Sequence, residues 1–263
     1  MVNMNLHDVL MNVANQYPRD MVDEQVRDIA RISFHIGIAL DAAINKPHSE
    51  LMICDLGGGI GLFSAGCAAL GMKRVVLVDD FDDSINHKVG PSILDLHRRL
   101  GVEVIARDVV EKGIRDIPGY FDIITTFDSM EHWHHSPKRL FHEVIEKLNP
   151  NGAFVLGVPN CVNMRKRITV PLGIGKWSSM QDWYEADKFR GHVREPDVTD
   201  LIYIARDIGL TNIKIYGRNW LGYFSANPAI RFATKVMDYP LRLKPSLCAD
   251  IYLVGIKAQG YAE

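Results

Sequence analysis

Apolar and polar positions alternate at helical spacing over residues 6–44, with Val26, Ile29, Ala30, Ile36 and Leu40 falling on one side. That spacing predicts two or three helices before any strand. From Leu51 the texture changes to short apolar runs separated by amphipathic segments, the pattern of a parallel sheet covered by helices on both faces. Residues 51–54, 74–78, 102–105, 121–126 and 153–158 read as strands. Between the last two, Ser136 and Pro137 suit an N-cap and first turn, and Leu140, Phe141, Val144, Ile145 and Leu148 then make one helical stripe. The turn Asn149-Pro150-Asn151-Gly152 ends that helix and returns the chain to the sheet.

After Pro159 the alternation stops over residues 160–190, a stretch that contains Pro171, Gly173, Gly175, Trp177 and Trp183. A segment this long without regular texture is expected to be a functional lid. Helical spacing resumes with Leu201, Ile204, Ala205 and Ile208 and stops at Gly209, and residues 213–216 and 251–256 read as closing strands. For residues 220–224 and 229–236, with Arg242 and Lys244 beyond, core packing is expected in preference to an apolar patch facing a partner or lipid.

The most informative chemistry is Asp55-Leu56-Gly57-Gly58-Gly59-Ile60-Gly61, which follows the first strand directly and opens into a helix of small residues. Glycines at 57, 59 and 61 let the backbone turn tightly and approach a ligand where a Cβ would intrude. Asp79, 22 residues after Gly57, ends the second strand, where a carboxylate can accept from ribose hydroxyls. An adenosine-type cofactor follows. A dinucleotide would want Gly or Ala where Leu62 stands, and Asp55 would repel a pyrophosphate but suit a ligand carrying an ammonium and a sulfonium. Both points favour S-adenosylmethionine over NAD, with a nicotinamide oxidoreductase as the rival.

On these residues the chain resembles the class I S-adenosylmethionine-dependent methyltransferases, across roughly residues 51–158 and more weakly to the C-terminus. The resemblance implies cofactor contacts from Asp55, Gly57, Gly58, Gly59, Gly61, Asp79 and Asp80, and from Asp108 and Val109 after the third strand, with Asp108 meeting the adenine amino group. It likewise implies that Phe127-Asp128-Ser129-Met130-Glu131-His132 is the fourth-strand exit, with Phe127 in the cofactor pocket. Asn149-Pro150-Asn151-Gly152 is similar to the family's Lys-Pro-Gly-Gly turn and departs from it at two of four places. The expected fold is α/β: a Rossmann-like, mostly parallel seven-stranded sheet with helices on both faces, an N-terminal helical segment and a lid insertion after strand five. One domain is expected, with residues 1–48 as helical cap, 49–159 as cofactor core, 160–195 as lid and substrate segment, and 196–263 as closing helix and strands.

Composition narrows the partners. At 263 residues and 47% hydrophobic the chain can bury a full core, while two independent domains would be cramped. A net charge of −2 gives no field for tracking nucleic acid phosphates or an anionic membrane, so a small-molecule partner is expected, with a homodimer left open. Cys54, Cys67, Cys161 and Cys248 form no CxxC pair and read as reduced residues of a cytoplasmic protein, with no metal site expected. No run of 18 apolar residues occurs, so no transmembrane segment is expected, and the polar N-terminus does not read as a signal peptide.

Methyl transfer to a hydroxyl requires a proton acceptor, and a histidine with a pKa near 7 is the natural one. His192, in Gly191-His192-Val193-Arg194-Glu195, and His132 are the catalytic candidates, with His134 and His135 expected to be exposed. The Gly-His-x-Arg-Glu cluster resembles an element of small-molecule methyltransferases of this class. Glu131, Asn160, Arg165 and Arg194 are the candidate substrate contacts, Arg165 within the basic run Arg165-Lys166-Arg167. Trp177, Trp183 and Tyr184 are expected to anchor the lid to the core. The expected activity is O-methylation of a sugar, glycolipid precursor or other metabolite; N-methylation of a small amine and cofactor binding without catalysis stay open.

Overall fold

A computed structural model describes residues 5–43, 46–82, 84–175, 180–187 and 189–259. Two helices, α1 (Leu6–Ala14) and α2 (Arg19–Ala42), precede the sheet. The core then alternates β1 (Met52–Leu56), α3 (Leu62–Ala69), β2 (Arg74–Asp79), α4 (Ser84–Arg99), β3 (Val102–Ala106), α5 (Val109–Lys112), β4 (Phe121–Phe127), α6 (Lys138–Lys147) and β5 (Leu148–Pro159). Short helices α7 (Met164–Thr169) and α8 (Met180–Tyr184) follow. The chain closes with α9 (Val198–Asp207), β6 (Leu210–Arg218), α10 (Trp220–Phe224), α11 (Pro228–Arg242) and β7 (Asp250–Lys257).

The seven strands among the described residues form one sheet in the order β3-β2-β1-β4-β5-β7-β6. Neighbours from β3 to β5 pair in parallel, and β7 runs antiparallel between β5 and β6. Successive residues of a strand point to opposite faces. Ile53, Val75, Leu77 and Ile123 accordingly pack with Leu10, Ile36 and Ile93 on one side, while Cys54, Val76, Val78 and Ile124 pack with Leu140, Phe141 and Leu201 on the other. Both faces are buried, which is why the strands read as unbroken apolar runs. The strand order reverses between β1 and β4, the switch point where a crevice opens beyond the carboxyl ends of the strands.

Several details differ from the sequence reading. Pro137, not Ser136, takes the N-cap position of α6, and Ser136 Oγ accepts a long 3.4 Å bond from the Lys138 amide. The fifth strand begins at Leu148, directly after α6, with Asn151 at φ 61° inside the expected turn. Trp183 and Tyr184 are 57% and 78% exposed and do not anchor anything to the core, whereas Trp177 lies outside the described residues. Core packing of α11 is also overturned: Phe232, Val236, Tyr239 and Leu243 form an exposed stripe, because helical periodicity identifies a face without saying which way it turns. No helix among the described residues is long and apolar enough to cross a membrane.

Candidate active site

A cleft of about 710 Å³ opens at the switch point, and its floor is the glycine bend between β1 and α3. Gly57 adopts φ 68° and Gly59 φ 56°, left-handed conformations that favour glycine. A Cβ at Gly57 would lie 1.9 Å from Ser129 Oγ, and one at Gly58 would lie 2.1 Å from Asp55 Oδ2. Asp55 therefore sits beneath the bend and borders the cleft, and Thr125 Oγ1 and Ser64 Oγ each donate to it at 2.8 Å. Burial pushes its carboxyl up to about 6, against the pull of those two bonds. From outside, the Tyr17 hydroxyl donates to the carbonyls of Ile60 and Gly61 at 3.0 and 3.1 Å, and His97 Nε2 meets the Gly61 carbonyl at 3.1 Å.

Asp79 turns toward the bend. Its Oδ2 accepts from the Gly59 amide at 2.9 Å and its Oδ1 from the Phe81 amide at 2.7 Å, so the second strand's terminal carboxylate lies against the glycine bend. Asp108 caps α5, accepting from the Val110 and Glu111 amides through Oδ1, while it borders the same cleft with Val109. Asp80 also borders the cleft and pairs with Arg190 at 3.5 Å. Phe127 stacks on His35 with ring centroids 4.1 Å apart. A backbone that admits close approach, with acidic side chains at Asp79 and Asp108 along one wall, fits an adenosine bearing a cationic sulfonium tail.

At the far rim the segment 189–194 is fastened onto residues 131–134. The Val193 and Arg194 amides donate to the Glu131 carbonyl at 2.6 and 3.3 Å, His132 Nδ1 meets the Arg190 carbonyl at 2.7 Å, and His134 Nε2 meets the Phe189 carbonyl at 3.2 Å. These bonds bring His192 against His132, with ring centroids 4.9 Å apart and planes nearly perpendicular. His192 Nδ1 lies 2.7 Å from Glu195 Oε1, and Lys166 bonds the other oxygen of the same carboxylate. Burial alone would raise the Glu195 carboxyl, but the bonds from His192 and Lys166 bring it down to about 2. A carbonyl and a carboxylate can only accept, so each ring carries a proton on Nδ1, and the lone pair of the neutral ring is then on Nε2. Burial, with His192 adding to it, lowers His132 below its ordinary value. Glu131 is 1% exposed with Oε2 unpartnered, and burial together with Asp128 pushes its carboxyl up to about 9.

Other expected contacts fall elsewhere. Asn160 is fully buried: its amide donates to the carbonyls of Ser246 and Cys248, and its Oδ1 accepts from the Val162 amide. It fastens the turn after β5 and has no group left for an acceptor. Arg165 is exposed on α7 and does not line the cleft, whereas its neighbour Lys166 in the basic run reaches the rim through Glu195. Arg194 borders a neighbouring cavity of about 560 Å³ that shares Trp133, His134 and His135 with the cleft.

The contribution of α2 to the site is not visible in the hydrophobic pattern. Arg31 crosses from it to pair with Asp128 and Asp28, and His35 stacks beneath the cleft with Nε2 3.1 Å from the Tyr252 hydroxyl. Both had read as ordinary members of an amphipathic helix. The one available signal was a pair of charged and aromatic nitrogens four apart on the side of Ile32 and Ile36, where a fully buried face should be apolar. Arg190, which also pairs with Asp82, was missed because its partners lie 108 and 110 residues away.

Residues 36–215 match the methyltransferase-domain family, well over half of the chain. A comparison with curated proteins returns no match. Among solved structures, the fold is similar to a possible histamine N-methyltransferase from Thermotoga maritima, with TM-score 0.51 at 15% identity over 96% of this chain and 100% of that one. It is similar also to phosphoethanolamine N-methyltransferase 2 from Haemonchus contortus, bound to S-adenosyl-L-methionine, with TM-score 0.53 at 16% identity over 86% of this chain and 53% of that one. A third is magnesium protoporphyrin IX methyltransferase from Synechocystis, with TM-score 0.51 at 12% identity over 98% and 90%. At such identities these likenesses concern the fold. The family match, the sheet order and the acid-lined glycine cleft agree, and the chain belongs to the methyltransferase-domain family as a class I S-adenosylmethionine-dependent enzyme.

Proposed function

We propose that the enzyme methylates a hydroxyl of a small metabolite, with a sugar or glycolipid precursor as the fitting class. S-adenosylmethionine supplies a methyl already activated on a sulfonium, so the chain's own residues have to align the acceptor, exclude water and relieve the acceptor of its proton. The observation that carries this reading is the pair of imidazoles at the rim, His132 bordering the cleft and His192 packed against it, both with Nδ1 tied down. A fixed Nε2 lone pair is what a hydroxyl acceptor needs, whereas a neutral amine does not. The acceptor enters, on this reading, through the cavity that Arg194 borders and reaches the cofactor past Trp133, His134 and His135, which border both cavities. The charge of −2 supports a small acceptor over nucleic acid, and cysteines that are all unpaired support a reducing, cytoplasmic setting.

The test is turnover of S-adenosylmethionine against a panel of sugars, glycosides, phenols and amines, following S-adenosylhomocysteine and the methylated product together. The expected result is an O-methylated product, with His192→Ala lowering kcat by about 10²–10⁴-fold and S-adenosylhomocysteine affinity kept. Turnover confined to amines, or undiminished in His192→Ala, contradicts the reading.

A further inference from the structure

Glu131, His132 and His192 each place one ligand atom within 4.8 Å of those of the other two. Each is prepared in a way that catalysis by a lone histidine does not require. The Nδ1 atoms of both imidazoles are engaged, His132 by the Arg190 carbonyl and His192 by the Glu195 carboxylate, which leaves Nε2 of each neutral ring as the ligand atom. Metal-ligating histidines are held in this way, by a carbonyl or carboxylate on the other ring nitrogen. Glu195 is itself oriented by Lys166, so the support extends one residue further out. Glu131 is nine-tenths buried and more, yet its Oε2 has no partner, a costly condition for a carboxylate oxygen unless something else meets it. Nearby Asp128, Glu195 and Asp250 make the surroundings electronegative.

We infer that Glu131, His132 and His192 form a binding site for a divalent transition-metal ion at the rim of the cleft, with positions left open for an oxygen of the methyl acceptor. An ion about 2.1 Å from each ligand is within reach after small side-chain rotations. Two imidazoles and one carboxylate suit zinc, iron, manganese or cobalt, whereas magnesium prefers an all-oxygen set. Asp128 stands aside, because Arg31 holds its carboxylate. His192 is partly exposed, which gives the ion a route in from solvent. The backbone bonds from Val193 and Arg194 to the Glu131 carbonyl set the ligands from the two segments side by side before any ion binds. The metal site stands on its own, while the role of the acceptor oxygen rests on the O-methylation reading: with both Nε2 atoms on the ion, the ion takes over from the imidazole, the coordinated hydroxyl would release its proton to water, and its oxygen would attack the sulfonium methyl as the S–CH3 bond breaks and S-adenosylhomocysteine leaves.

The experiment is calorimetric titration of the chelator-treated full chain with Zn²⁺, repeated with Mg²⁺, and with Co²⁺ followed by visible absorption. Each sample is also titrated with S-adenosylhomocysteine. One Zn²⁺ per chain is expected, with a Co²⁺ absorption band and weak Mg²⁺ uptake. His192→Ala and Glu131→Gln are expected to weaken Zn²⁺ by more than about 100-fold, and Glu195→Gln by about 10–100-fold, with S-adenosylhomocysteine affinity retained as proof of folding. Absence of stoichiometric uptake by a chain that binds S-adenosylhomocysteine overturns the metal site and leaves the enzyme assignment standing. Uptake that His192→Ala and Glu131→Gln leave unchanged places the ion on other histidines and overturns it as well. Loss of S-adenosylhomocysteine binding in the unsubstituted chain counts instead against the cofactor pocket.

Discussion

At Gly57 the φ of 68° and the Ser129 hydroxyl together exclude a side chain. Gly57→Ala is expected to cost about 1–3 kcal/mol in urea unfolding, from backbone strain, and to weaken S-adenosylhomocysteine binding as the bend shifts. Asp55 beneath it carries a pH signature. Its carboxyl titrates at about 6 in the folded chain against an ordinary 3.8, so between those values the folded state holds a proton that the unfolded state has released. Its contribution to stability therefore falls as pH rises from about 4 to 6 and stays low above, by about 3 kcal/mol for a shift near 2 pH units. Unfolding of Asp55→Asn across that range is expected to lack this part of the slope. Matching slopes in the two proteins contradict the burial argument. Both residues were legible in the sequence as a glycine bend with an acidic neighbour, and Asp55 does border the cleft. The sequence does not reveal that Ser64 and Thr125 close over the carboxylate.

Among elements, the parallel strands were the most legible, because burial on both faces leaves only apolar residues such as Val75, Val76, Leu77 and Val78. The N-terminal helices were legible as helices but not as part of the site. Tyr17, between α1 and α2, holds the glycine bend through its hydroxyl, and α2 contributes Arg31 and His35 to the cleft. Tyr17→Phe removes that donor from two carbonyls and is expected to lower stability by about 1 kcal/mol, and to weaken S-adenosylhomocysteine binding measured by calorimetry. An unchanged affinity shows that α3 holds the bend unaided. The segment 160–195 reads as a lid, and its C-terminal part clasps the exit of β4 through Val193, Arg194 and Arg190. Asn160 looked like a site residue since it is polar and follows a strand, yet polarity alone cannot separate a ligand contact from an amide that fastens a turn.

For the whole molecule, the two hydrophobic layers hold the sheet so that β1 and β4 part at the switch point, and every group assigned to the cofactor lies on or near the loops that leave β1, β2, β3 and β4. Successive motifs in order along the chain made this half of the site readable. The acceptor half was not, since Glu131 and His192 meet across 61 residues and only the folded chain fixes that register. Whatever passes over the rim, the enzyme depends on Asp79 lying against the glycine bend. The most direct measurement is a calorimetric titration of the full chain and of Asp79→Ala with S-adenosylhomocysteine, run beside NAD. One S-adenosylhomocysteine is expected to bind per chain, with no NAD binding and a loss of about 30-fold or more in Asp79→Ala, the worth of charge-assisted hydrogen bonds to a ribose. Binding of NAD in its place, or an affinity that Asp79→Ala leaves untouched, contradicts the assignment.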